Sequence, residues 1–348
     1  MGKTLKIGFI GAGGIARWQA DLLKKVQGAE VVAAADISDA ALEQFKKQIP
    51  TVQETYKDWK QLLERKDIEA VSVCTPNKMH CEPTIAALRA GKHVLVEKPM
   101  AMNAAEAKAM VDAAKKAKKI LQIGFQWRFT PSAQLLRKKF DAGDFGKILY
   151  VRCQALRRRG IPSWGVFGRK ELQGGGPMID IGVHILEMAH FIIGAPQAVS
   201  ARGACYTYIG NKKPEVKCPW GEWDYKTYTV EDLAIGFIKF KGGESLVIES
   251  SFAAHIEKDV FNVQIMGTKG GANYDPLQIF TDEGGYMWNQ MPAFSGNQDN
   301  FEYKMRHFVE CARDGKKCEA PGEDGLVVQQ MLDAIYKSAE LNREVAIK

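Results

Sequence analysis

Leu5-Lys6-Ile7-Gly8-Phe9-Ile10-Gly11-Ala12-Gly13-Gly14-Ile15-Ala16 is the stretch that decides the fold. Residues 5–10 form an apolar run of strand length, 11–14 are a glycine turn, and 15–26 carry apolar residues at helical spacing. The turn reads G-x-G-x-x-A. Its first glycine permits a tight turn, its second lets backbone approach a pyrophosphate, and its small third residue lets helix and strand pack closely. A pyrophosphate then sits on a helix N-terminus, where N–H groups and the dipole favour an anion. A second strand, residues 30–35, ends at Asp36. That carboxylate suits the adenosine ribose hydroxyls and repels a 2′-phosphate, and Ile37 and Ser38 follow it with no arginine. NAD is therefore expected rather than NADP, held by Gly11, Gly13, Gly14, Ile15 and Asp36.

Outward from this unit, strand and helix signals alternate. Ser38-Asp39 can cap a helix over 40–48, and a short helix is expected over 59–64. Strand 70–74 ends in Thr75-Pro76-Asn77, helix 82–90 is closed by Gly91, and strand 93–96, helix 104–117 and strand 120–123 follow. Such repeats imply an α/β Rossmann domain with a parallel, doubly wound sheet. After Gly124 the strands lengthen and alternate: 147–156, 199–208, 231–240, 245–252 and 260–266. Helices are expected over 132–140, roughly 177–193, roughly 298–313, and 324–341. This reads as an α+β domain with a large open, mostly antiparallel sheet. The expected domains are 1–124 and 125–348. An uncovered sheet face needs a partner, so a homodimer or homotetramer through it is expected.

The 348 residues are 46% apolar and 26% charged, as in ordinary globular proteins with two cores. A net charge of +7 is mild, and the basic residues lack the interleaved aromatics that single-stranded nucleic acid needs. Seven cysteines form an odd count without a CxxC, which favours reduced thiols in a cytoplasm over disulfides or a metal site. Met1-Gly2-Lys3-Thr4 runs straight into a strand, so no signal peptide is expected ahead of the fold, and with Ile7 in place of a Ser/Thr no myristoylation is expected at Gly2. No apolar run reaches the length that spans a membrane.

Lys98 in Glu97-Lys98-Pro99 follows the apolar run Val94-Leu95-Val96, so it emerges at a strand's carboxyl end. Open parallel sheets bind ligands there. Taking a hydride from a carbinol carbon also requires loss of the hydroxyl proton and support for charge on oxygen. Lys98 can donate to that oxygen, and His184, with an ordinary pKa of about 6.5 for its type, can take a proton. Asp180 lies one helical turn before His184, on a helix introduced by Gly174-Gly175-Gly176-Pro177. Each residue alone has a structural alternative: a solvated lysine, a first-turn acid, a helix-face histidine. Their joint occurrence beside the cofactor turn carries the catalytic reading. Arg157-Arg158-Arg159 and Trp164 lie in an atypical loop. Trp164 can stack on a sugar face or the nicotinamide, and Arg157 can bind a carboxylate, phosphate or hydroxyls; a solvated rim loop is the alternative. Trp220, Tyr286 and Trp288 are weaker candidates for the same role.

With Thr75-Pro76-Asn77, His80, Glu97-Lys98-Pro99, Gln126-Trp127-Arg128-Phe129 and Asp180-Ile181-Gly182-Val183-His184 in place, the chain resembles the glucose–fructose oxidoreductase / inositol dehydrogenase family, often called Gfo/Idh/MocA. The resemblance implies a substrate crevice between two domains and a cis Lys98–Pro99 bond. It implies Lys98 and His184 as the catalytic pair, with His184 the general base. Asp180 would bind a substrate hydroxyl and orient His184. Thr75, Asn77, His80, Glu97, Lys98, Gln126 and Arg128 would contact the cofactor or its edge. The expected activity is NAD-dependent oxidation of a secondary hydroxyl of a sugar, glycoside or cyclitol. The alternatives are a redox-cycling enzyme that cleaves or epimerises glycosides, and a non-enzymatic NAD-binding regulator.

Overall fold

β1 (Leu5–Ile10), the strand before the glycine turn, lies at the centre of a parallel sheet in the computed structural model, which describes residues 4–294 and 296–347. Met1–Lys3, on which the reading of the N-terminus rests, lie outside the described residues. The chain continues through α1 (Gly14–Leu23), β2 (Ala29–Ala35), α2 (Asp39–Gln48), β3 (Glu54–Tyr56), α3 (Trp59–Glu64), β4 (Ala70–Val73), α4 (Cys81–Arg89), β5 (His93–Val96), α5 (Ala104–Ala117) and β6 (Leu121–Ile123). The strand order is β3-β2-β1-β4-β5-β6, all parallel. The direction of winding reverses between β1 and β4, and the carboxyl ends of strands at such a switch point form a ligand crevice. Gly11 and Thr75 stand at those ends.

The chain divides into two compact units, and the division is not linear: the first takes residues up to Gln126 and also Asp299–Leu326. The sequence reading had placed all of 125–348 in the second domain. The returning segment holds α9 (Asn300–Asp314), whose Met305, Phe308 and Val309 are buried in one cluster with Leu5, Ile7, Phe9 and Phe45. Helical periodicity identifies a buried face on α9, but not which core receives it. A polar network fastens the helix as well. Lys304, wholly buried, places its ammonium 2.7 Å from the Glu97 carboxylate, which also accepts from Gln19 Nε2 at 2.5 Å. Gln19 in turn accepts from Ser72, and Gln122 donates to the Lys304 carbonyl. Burial pushes the Glu97 carboxyl up, but the Lys304 ammonium beside it outweighs that and holds it below its ordinary range.

The second unit contains residues 127–298 and 327–348. Its strands are β7 (Ile148–Leu156), β8 (Ala198–Tyr206), β9 (Leu233–Phe240), β10 (Ser245–Ser251), β11 (Val260–Gly267), β12 (Gly270–Asn273), β13 (Gln278–Glu283), β14 (Tyr286–Gln290) and β15 (Val345–Ala346). They order as β14-β13-β12-β11-β7-β10-β9-β8-β15, antiparallel except for β7 with β10. Its helices are α6 (Pro131–Asp141), α7 (Lys170–Gln173), α8 (Val183–Ile192) and most of α10 (Gly322–Leu341). A π-helical turn, Met178–Gly182, leads into α8, and together they cover one sheet face. Alternate residues point inward, among them Val151, Cys153, Ile238, Leu246, Ile248 and Val263. Ile235, Phe237 and Met266 stay exposed. The strands β12–β14 escape the sequence reading for a physical reason. β12 is half glycine and β14 is exposed along its whole length, so neither carries a buried alternating stripe.

No described helix is long and apolar enough to cross a membrane, and all seven cysteines are free thiols.

Two predictions follow from the first unit. Replacing Lys304 with Met leaves the Glu97 charge buried without its cation, so urea denaturation should show a loss of about 3–5 kcal/mol. Adding Glu97→Gln to that variant should recover part of the loss; equal stability of wild type and Lys304→Met would refute the network's role. The second concerns His93, whose Nδ1 accepts from the Ile120 amide while the Lys119 ammonium lies 3.4 Å from Nε2. Burial, reinforced by Lys119, pushes its pKa down from 6.5 to about 4. The unfolded chain therefore binds this proton first as pH falls. The contribution is complete above 6.5 and is lost on acidification towards about 4. After allowance for solvent screening it amounts to about 1–2 kcal/mol, and His93→Gln should flatten the stability profile in that window by this much.

Candidate functional site

Gly11 adopts φ +91°, and a Cβ there would lie 2.7 Å from the Cys74 carbonyl oxygen. Only glycine satisfies both the left-handed backbone and the close strand approach. Gly13 and Gly14 present the opposite situation: their Cβ positions face open space. Gly13 is the N-cap of α1 and offers no side chain to the first-turn amides. An uncapped helix N-terminus behind an open glycine floor is what a pyrophosphate requires. Asp36, half-buried, accepts from the Ala12 amide at 2.8 Å through one carboxylate oxygen and from the Ser38 amide at 2.8 Å through the other. These bonds orient the carboxylate beside the glycine turn, where a ribose would lie. Ile15 follows as the second residue of α1. The residues thus fit a dinucleotide. One neighbour of the turn was missed in the sequence: Arg17, a turn into α1, donates to the Ala12 carbonyl at 3.2 Å.

The turns after β4 and β5 are tied together by His80. Its Nδ1 lies 2.8 Å from the Pro99 carbonyl oxygen and its Nε2 2.9 Å from that of Thr75. Burial drives the His80 pKa below its ordinary value against the pull of both carbonyls. The imidazole therefore acts as a strut between the Thr75 turn and the Lys98 turn. Thr75 Oγ1 donates to the Met79 carbonyl, and Asn77 is buried in the short turn between them. Lys98 is half-buried, its amide donates to Glu97, and the Lys98–Pro99 bond is cis. Glu97 belongs to the ion-pair network described above. A Cβ on Gly124 would fall 2.8 Å from the Glu97 carboxylate, so glycine is needed there too. The buried Gln126 accepts at its carbonyl from Asn300.

In the second unit Glu231 organises the glycine run. Its carboxylate accepts from the amides of Gly176 (2.9 Å) and Met178 (3.2 Å) and from the Tyr336 hydroxyl (2.7 Å). Burial nevertheless raises its pKa. A Cβ on Gly175 would strike the Tyr336 hydroxyl, and one on Gly176 the Glu231 carbonyl. The run is thus clamped, and the π-helical turn that follows carries Asp180. π-helical turns cluster at functional sites. Asp180 is half-buried, and His184 is buried in the first turn of α8 with its ring edge-on to Trp127 at 6.5 Å.

Of the three successive arginines, Arg157 lies within the influence of the Asp180 charge. Burial lowers its pKa and the Asp180 charge opposes that. Its guanidinium lies 4.3 Å over the Trp220 ring, and Trp164 stacks on the other tryptophan at 5.5 Å and 27°. Trp164 is 56% exposed. Arg158 donates to the Glu257 carbonyl, and Arg159 lies against His255 and the Ala254 carbonyl. Arg128 forms a buried ion pair with Glu187 at 2.9 Å and lies over Phe191. Tyr286 and Trp288 stand on β14, the exposed edge strand of the sheet. Lys304, Glu231 and Tyr336 went unread in the sequence. The signal for Glu231 was an acid pair, Glu231-Asp232, just before an apolar strand; for Lys304 it was a lysine on the apolar face of α9.

The first unit thus carries Lys98 at a strand end, and the second carries Asp180 and His184 at a clamped helix start and a cluster of Arg157, Trp220 and Trp164. Comparisons with known proteins show the family. Residues 5–125 match the family described as "Oxidoreductase family, NAD-binding Rossmann fold", and residues 137–347 its "C-terminal alpha/beta domain". The chain is 40% identical over 281 residues to D-glucoside 3-dehydrogenase of Escherichia coli (strain K12), covering 80% of this chain and 79% of that protein. It is 29% identical to myo-inositol 2-dehydrogenase of Thermotoga maritima over 99% of each chain. A solved levoglucosan dehydrogenase in complex with NADH has the same fold, with TM-score 0.86 and 23% identity over 99% of this chain and 100% of that one. The chain belongs to the Gfo/Idh/MocA oxidoreductase family and binds NAD through its Rossmann domain.

Proposed function

We propose that this enzyme oxidises a secondary hydroxyl of a sugar, glycoside or cyclitol. The observation that carries the reading is the grouping of Asp180, Arg157, Trp220 and Trp164 in the second unit. A sugar ring offers an apolar C–H face and a rim of hydroxyls; the indoles suit the first, and the guanidinium and carboxylate suit the second. The similarity to a D-glucoside 3-dehydrogenase and a myo-inositol 2-dehydrogenase supports the same substrate class. Bound NAD supplies the hydride acceptor. In this reading Lys98 donates a hydrogen bond to the reacting oxygen and steadies its charge, and His184 takes the hydroxyl proton. Asp180 accepts from a substrate hydroxyl and orients His184. Gly11, Gly13, Gly14, Ile15 and Asp36 hold the dinucleotide. Thr75, Asn77 and His80 shape its edge. Glu97 and Gln126 contact the cofactor or its edge, and Glu97 also holds the Lys98 amide.

Lys98→Ala and His184→Ala should each lower turnover by about 10²–10⁴-fold while NAD binding persists. NADH fluorescence over a polyol and glycoside panel, paired with NAD titration, measures both quantities. Near wild-type turnover in both variants would sink the assignment. NADH released in proportion to product supports a dehydrogenase, whereas inversion or aglycone release without NADH would identify a redox-cycling enzyme.

We further propose that the chain pairs with a second copy through the outer face of its large sheet. Ile235, Phe237 and Met266 leave apolar surface there, with Arg152 and Glu249 paired among them at 3.1 Å. Seven free thiols support a reducing cytoplasmic setting. Phe237→Glu should convert the assembly to monomers in light scattering; a monomeric wild type would overturn the pairing.

A further inference from the structure

The C-terminal end of α9 carries a side-chain cluster that hydride transfer does not use. His307 and Cys311 lie one turn apart on the helix, and Cys318 approaches from the loop that follows. One ligand atom from each lies within 4.8 Å of the other two. His307 Nε2 and Cys311 Sγ are 3.3 Å apart. His307 and Cys311 are buried and Cys318 is half-buried, so the cluster is enclosed with one accessible side. A neutral oxygen, Gln122 Oε1, lies 3.7 Å from Cys318 Sγ. The His307 ring is held parallel to Tyr303 at 6.3 Å.

Separations of 3.3 Å for one pair and at most 4.8 Å for the others lie near those that one ion imposes on its ligands. Zinc–sulfur bonds of about 2.3 Å and zinc–nitrogen bonds of about 2.0–2.1 Å in a tetrahedron put the donors roughly 3.5–4 Å apart. Two thiols and an imidazole select zinc over magnesium or calcium, which prefer oxygen. The spacing is His-x₃-Cys-x₆-Cys, with no CxxC, which is why scanning for zinc motifs passes over it.

We propose that His307, Cys311 and Cys318 form a structural zinc site, with Gln122 Oε1 or water completing the tetrahedron. Binding exchanges protons only: Zn²⁺ replaces the thiol protons of Cys311 and Cys318, both protons pass to solvent, and no electrons move. The Glu319 amide, 2.9 Å from His307 Nε2, gives up that acceptor to the ion and turns to water at the half-buried loop. The ion would join the end of α9 to the loop before α10. Gln122, whose amide also donates to the Lys304 carbonyl, lies on the same path. Zinc thus reinforces the docking of α9 on the first unit.

Cobalt titration of the reduced full-length protein tests this. A thiolate-to-cobalt charge-transfer band and the intense visible bands of a tetrahedral ion should appear, and added zinc should abolish both. Cys318→Ser should lose the charge-transfer intensity of one thiolate and bind cobalt more weakly, while keeping wild-type NAD binding. His307→Gln provides a second variant and should alter the visible bands. Zinc should raise the thermal midpoint of wild type and not that of Cys318→Ser. Absence of thiolate bands in the reduced wild type, or bands and midpoint shift unchanged in both variants, would overturn the site.

Discussion

The ion pair between Lys304 and Glu97 is the constraint on which the rest of the first unit depends. It joins residues more than two hundred positions apart and buries both charges. Such a pair contributes little net stability over an apolar substitute, but it is costly to break, so it enforces one arrangement. Glu97 precedes Lys98 directly, so the same contact that docks α9 also fixes the backbone at the base of Lys98. Gln19, Ser72 and Gln122 extend the network to α1, β4 and β6.

Glu231 has the corresponding position in the second unit. A single carboxylate holds two amides of the glycine run and the Tyr336 hydroxyl. The run cannot carry side chains because Tyr336 and the Glu231 backbone occupy that space. The π-helical turn and α8 therefore begin from a fixed point, and Asp180 and His184 inherit it. Both units use one design: a buried acid, satisfied by partners remote in sequence, fixes the backbone beside a candidate residue. Acids buried in this way cost free energy unless fully bonded, so they hold a backbone in place more firmly than an apolar contact does.

Several roles that the sequence leaves open are separated by burial. Arg128 and Glu97 look alike as charged residues in family motifs, and both prove to be halves of buried ion pairs. His80 is a strut between two turns. Of three successive arginines, strand alternation and loop geometry turn Arg157 toward Asp180 and Trp220 and direct the other two elsewhere.

The sequence by itself determined the parallel first sheet, the dinucleotide turn, the antiparallel character of the second sheet and the grouping of Lys98, Asp180 and His184 as candidates. These are local patterns: apolar period, glycine at forced turns, acid and histidine one helical turn apart. Only the tertiary structure decided that α9 returns to the first unit, that β12–β14 extend the second sheet, and that Lys304, Glu231 and Tyr336 hold the candidate residues in place. It also brought His307, Cys311 and Cys318 together. The physical reason is the same in each case. A helix face or a single polar side chain states that it needs a partner, but the identity of that partner is set by packing between segments far apart in the chain.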